Sequence, residues 1–109
     1  MKSDLAIPPD IEPPVHLSES SKALWRSIVP RRASSPERLA LLTTALEARD
    51  RAEAARLVVE RHGMIATTKR TGMSHVHPAV RLERESRQLF VKCWTALSLA
   101  WSADIDGRA

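Results

Sequence analysis

The sequence has no tyrosine, one phenylalanine, three glycines and one cysteine among its 109 residues. Each scarcity excludes something. The lone Cys93 rules out an intrachain disulfide, and its place in Phe90-Val91-Lys92-Cys93-Trp94 marks it as a small apolar packing residue with no access for a substrate. Glycines at 63, 72 and 107 cannot build a phosphate-cradling loop, and there is no Walker-type lysine motif, which excludes nucleotide hydrolysis. With no Tyr, and with Trp and Phe on apolar stripes, a stacking platform for single-stranded nucleic acid is excluded as well. The richest hydrophobic stretch, Leu89 to Trp101, is broken by Lys92 and too short to span a bilayer. The first residues hold no apolar core long enough for a signal peptide. A soluble, intracellular protein in a reducing compartment is expected.

What the chain does have is arginine and helical periodicity. Its 17 Lys and Arg, 13 of them Arg, stand against 13 Asp and Glu for a net charge of +4. The forked guanidinium suits phosphate, so a polyanionic partner is permitted. The excess falls on the first helix, the central turn and the last helix. A single domain of this length buries roughly 60 to 70% of its unfolded surface, so association with further copies would help it.

Residues 1–16, with Pro8, Pro9, Pro13 and Pro14, read as an extended, flexible arm. Ser18 then offers a capping hydroxyl, and Ala23, Leu24, Ile28 and Val29 keep helical spacing until Pro30, predicting a short helix over about 19–29. Ser35 as N-cap, Pro36 at the first helical position and Gly63 past the end mark a second helix over 36–62. Along it Leu41, Ala45, Ala48, Ala52, Ala55 and Val59 form a seam of mostly small residues, beside a stripe of Leu39, Leu42 and Leu46. Glu47 with Arg51, Arg49 with Glu53 and Arg56 with Glu60 have ion-pair spacing on its polar face. Met64 to Thr68 and Met73 to Val76, around Lys69-Arg70-Thr71-Gly72, predict a small β-hairpin. Pro78 opens a third helix, expected to run to about Ala103 before a flexible tail at 104–109. The fold class is therefore mainly α: a short N-terminal helix and two long antiparallel helices with the hairpin between them. Leu82, Ser86, Leu89, Cys93, Ala96 and Ala100 make one seam of the third helix, and Phe90, Trp94, Leu97 and Trp101 make a second. So wide an apolar arc exceeds what one partner helix covers, which assigns Phe90, Trp94, Leu97 and Trp101 to an interface between subunits.

For chemistry, His75 and His77, with His62 and Cys93, have no familiar zinc spacing, and end-of-helix or surface histidines are the plainer reading. Glu83 and Glu85 diverge on a helix, each with an Arg three or four residues away, and look structural. No metal, cofactor or catalytic residue is assigned. The remaining candidates are basic: Lys22, Arg26, Arg31 and Arg32 on or after the first helix, and Lys69 and Arg70 at the hairpin tip. They are suited to phosphate contacts, against a plain reading as solvating surface charge.

Between Pro14 and Phe90 the order of short motifs resembles one group of phage terminase small subunits. These are His16-Leu17-Ser18, Leu24-Trp25-Arg26, Ile28-Val29-Pro30, Arg61-His62-Gly63 and His77-Pro78-Ala79-Val80. The resemblance implies a helical domain over 17–103 and a nonenzymatic, ring-type homo-oligomer in the host cytoplasm. Such a ring recognises double-stranded viral DNA and presents it to a large ATPase and nuclease subunit. The chain departs from the family pattern at Trp101-Ser102-Ala103-Asp104-Ile105-Asp106-Gly107-Arg108, where a Leu-Gly-Leu-Thr-Pro-like basic stretch is usual. The alternative is a helical protein-interaction adaptor without a nucleic-acid role.

Overall fold

The computed structural model describes residues 11–67 and 72–99, and of residues 66 and 67 only the backbone. It is mainly helical. The elements run α1 (Glu19–Ile28), α2 (Pro36–His62), β1 (Ile65–Thr67), β2 (Ser74–Val76) and α3 (Pro78–Ala96).

Each helix begins where a side chain satisfies its first free amides. The Ser18 hydroxyl accepts from the Ser21 N–H at α1, and the Ser35 hydroxyl from the Arg38 N–H at α2. At α3 the Nδ1 of His77 accepts from the Ala79 N–H at 3.0 Å. The ends of α2 match their sequence signals, with Pro36 in its first turn and Gly63 beyond its last at φ +85°, a backbone that a side chain would strain. β1 and β2 pair antiparallel, with Ile65 opposite Val76 and Thr67 opposite Ser74.

α2 and α3 lie antiparallel along a seam of small residues. Arg38 in the first turn of α2 reaches the Leu97 carbonyl at 2.6 Å, while His62 in its last turn stacks on His77 with ring centroids 6.0 Å apart. Ala45, Ala48, Ala52 and Ala55 are buried on α2, and Ala79, Ser86 and Cys93 on α3 recur every seventh residue. Side chains of this size allow helix axes near the close end of the usual 8–10 Å range. The larger apolar groups collect at one end, where Leu17, Trp25, Ile28, Ala33, Leu42, Leu46, Leu97 and Leu99 form the core cluster. α1 joins it through Ser21, Trp25 and Ile28, spaced to share one face.

Of the Pro-rich lead, residues 1–10 lie outside the described residues, and from Ile11 on it packs against α1: the Trp25 indole donates to the Ile11 carbonyl at 2.6 Å, and Leu17 is buried. One expectation is corrected: α3 stops at Ala96. The Ser98 N–H bonds the Thr95 carbonyl, the Leu99 N–H bonds the Trp94 carbonyl, and Ser98 has φ +62°. This is a Schellman end with serine in the left-handed position that glycine usually takes, and it returns Leu99 to the core. The tail at 104–109 lies outside the described residues.

That end sets a test with a sign. Ser98→Gly relieves the left-handed strain and is expected to stabilise the protein by up to about 1 kcal/mol in urea unfolding. Were the helix continuous through Ser98, the same change would destabilise it by about 0.5 kcal/mol.

Candidate nucleic-acid interface

Four of the six basic residues singled out in the sequence fall on α1 or the turn after it, while Lys69 and Arg70 lie outside the described residues. The helix face shared by Lys22 and Arg26 also carries Glu19, which approaches the Lys22 ammonium at 3.4 Å and offsets its charge. The Arg32 guanidinium donates to the Ser98 carbonyl at 3.3 Å, tying the turn to the end of α3. Arg26 and Arg31 are exposed. Of the four, they are the ones left for an external phosphate.

The apolar set assigned to an interface is divided. Leu97 is 1% exposed and belongs to the subunit's own core, so it offers no surface to a neighbour. Trp94 is half-buried against that core, and Phe90 packs on it with centroids 5.0 Å apart. Trp101 lies outside the described residues. Exposed apolar surface is found instead at Leu57 on α2 and Leu82, Leu89 and Val91 on α3.

The polar centre of the molecule is Asp50. Its Oδ1 accepts from the Ser18 and Ser21 hydroxyls, both at 2.7 Å, and its Oδ2 from the Ser18 N–H at 2.8 Å. Arg49 donates to the Ser20 and Ser21 hydroxyls at 2.9 and 3.0 Å. Burial pushes the Asp50 carboxyl up, but the Ser21 hydroxyl, the Ser18 N–H and hydroxyl and the Arg49 charge together outweigh it, so the group titrates below the usual carboxylate range. Ser21, fully buried, thereby has both a donor and an acceptor partner. This network pins the start of α1 to the middle of α2.

A groove beside it, lined in part by Ser20, Arg49, Glu53 and Arg87, mixes both signs of charge. Its Glu53 carboxyl is held below the ordinary range chiefly by hydrogen bonding to Arg56, which approaches at 2.7 Å. Of the three helical spacings on α2, Arg56 with Glu60 forms an ion pair, at 3.7 Å. Glu47 turns to His16 at 2.8 Å and Arg49 to the serines. Glu83 pairs with Arg87 and Glu85 with Arg81, the structural role expected of both carboxylates.

Sequence reasoning passed over Asp50 and Arg38. Arg38 donates to the Arg32 carbonyl through Nε and Nη2 and to the Leu97 carbonyl through Nη2, gathering the turn before α2 and the end of α3. Both carried a faint signal: a cation in a helix first turn opposes the macrodipole, and aspartate is a poor mid-helix residue, so each implies a tertiary reason. Among the described residues no group of three His, Cys, Asp or Glu could hold a metal ion, and no helix is long and apolar enough to cross a membrane. Comparison with known protein families, characterised proteins and solved structures finds no match.

Asp50→Asn removes the charge and one acceptor site, and is expected to lower stability at pH 7 by about 1–2 kcal/mol. Because the folded carboxyl titrates below its unfolded value, its contribution is present above about pH 4 and is lost as pH falls through the lowered folded value. Urea titrations of the two proteins should therefore differ most near neutrality and converge in acid.

Proposed function

We propose that this chain is the DNA-recognition and regulatory subunit of a viral DNA-packaging terminase, without catalytic activity of its own, acting as a ring-type homo-oligomer that binds double-stranded viral DNA and presents it to a large ATPase and nuclease subunit. The observation that carries the reading is where the resembling motifs fall. His16-Leu17-Ser18 ends in the cap of α1, Arg61-His62-Gly63 closes α2, and His77-Pro78-Ala79-Val80 caps and opens α3. These motifs therefore sit at helix ends, where sequence most directly determines structure.

Arg26 and Arg31 supply cations facing solvent on one part of the molecule, and Leu57, Leu82, Leu89 and Val91 supply apolar surface for neighbouring subunits. That apolar surface also favours the second reading, a helical adaptor whose partner is another protein. The two differ in mass and in response to salt. A packaging subunit is expected to elute at a mass many times 12.1 kDa by light scattering. Its affinity for duplex DNA should fall by orders of magnitude between about 50 and 200 mM salt as counterions are released. A monomer with no salt-dependent DNA binding would establish the adaptor in its place.

A further inference from the structure

Positive charge along the chain gathers in stretches that hold no acid. From Arg61 to Leu82 there is no Asp or Glu, while Arg61, Lys69, Arg70 and Arg81 supply four cations. The stretch from Ser20 to Pro36, around α1, is likewise free of acids and holds another four, Lys22, Arg26, Arg31 and Arg32. The stack of His62 on His77 brings the end of α2 to the start of α3, which places Arg61 and Arg81 at the hairpin end of the α2 and α3 pair. The α1 set sits at the other end, where Arg32 and Arg38 meet Ser98 and Leu97. At 1.5 Å per residue the 27 residues of α2 separate the two ends by roughly 40 Å.

The exposed side chains at this end are of two kinds. Arg61 and Arg84 are exposed with no ion-pair partner among the described residues, and Arg81, paired with Glu85 at 3.3 Å, keeps 75% of its side chain in solvent. Arg81 and Arg84 line one groove with Val76, Pro78 and Val80. On the ladder, Ile65 and Val76 face each other across the strands yet remain 59% and 56% exposed. An antiparallel ribbon of two strands is marginal alone and has the width of a duplex groove, and cations beside it match flanking phosphates.

We propose that this hairpin end, with Arg61, Arg81 and Arg84 around the uncovered Ile65–Val76 pair, is a contact surface for duplex DNA distinct from the basic residues of α1. The inference rests on the nucleic-acid reading above and assigns the contact to residues outside the α1 set. Arginines grip the backbone, and the apolar pair meets the groove wall.

The test is a salt series of duplex-DNA binding by the full chain, with vesicles of phosphatidylglycerol and phosphatidylcholine as a parallel probe. Arg61→Gln/Arg81→Gln/Arg84→Gln is compared with Arg26→Gln/Arg31→Gln. All these side chains are exposed, and circular dichroism checks that helicity is kept. The hairpin-end variant should lose at least tenfold in affinity, and its slope of log affinity against log salt should shrink by about three. Lysine at the same three positions should restore most of that slope. If the hairpin-end variant binds like the unaltered chain while the α1 variant loses affinity, the inference fails and the packaging reading stands. If the unaltered chain binds no duplex at low salt, both fail. Binding to the anionic vesicles without binding to DNA would overturn the inference in favour of a membrane surface.

Discussion

The structure depends on how closely α2 and α3 can approach. Ala45, Ala48, Ala52 and Ala55 are buried on one helix and Ala79, Ser86 and Cys93 on the other, so small side chains predominate along the pair. An alanine seam buries little apolar area per residue, so it sets geometry more than it supplies hydrophobic stabilisation. The larger contribution is displaced to one end, where Leu42 and Leu46 of α2, Trp25 and Ile28 of α1, and Leu97 and Leu99 beyond α3 enclose one another. α1 is therefore a structural requirement for the helical pair, and the Asp50 network that anchors its first turn holds the lid of the core in register.

The same asymmetry leaves the far end lightly held. Past Ala55 and Ala79 the helices are joined by the imidazole stack and by a ladder on which Ile65 and Val76 are more than half exposed. Local stability follows local burial, so the end with fewest buried contacts is the one most able to adjust to a partner. Tight packing and adjustable surface thus divide along the length of α2.

How legible this was in the sequence differs by feature, for physical reasons. The bounds of α1 and α2 could be read because capping hydroxyls, prolines and Gly63 act through neighbours a few residues away. The hairpin was readable from its Thr, Ile and Gly content. The end of α3 was not, because Ser98 takes a left-handed conformation without the glycine that would have announced it, and Leu97 and Leu99 continue an apolar pattern that would equally suit a longer helix. Leu97 was assigned to an interface for the same reason: periodicity identifies an apolar face but cannot say whether α1 of the same chain covers it. Asp50 and Arg38 were missed because their partners lie 29 to 32 and 59 residues away. Lys22 and Arg32 illustrate the converse, since spacing predicts shared faces but not that Glu19 or a carbonyl will occupy the cation.

Those occupied cations bear on how a basic protein should be read. Net charge governs long-range attraction to a polyanion, yet affinity for phosphate needs guanidinium groups that are not already committed inside the fold. Around α1 and the middle of α2 the arginines are largely structural: Arg32, Arg38, Arg49 and Arg56 each bind an acceptor of the chain itself. Among the described residues Arg26, Arg31, Arg61 and Arg84 show no such bond; the first two lie in the acid-free stretch from Ser20 to Pro36, and Arg61 opens the one that runs to Leu82. A count of Arg and Lys by helix weights all of these alike. Subtracting those used to build the fold leaves available positive charge at both ends of the molecule, with Arg26 and Arg31 at one and Arg61 and Arg84 at the end that the core least constrains.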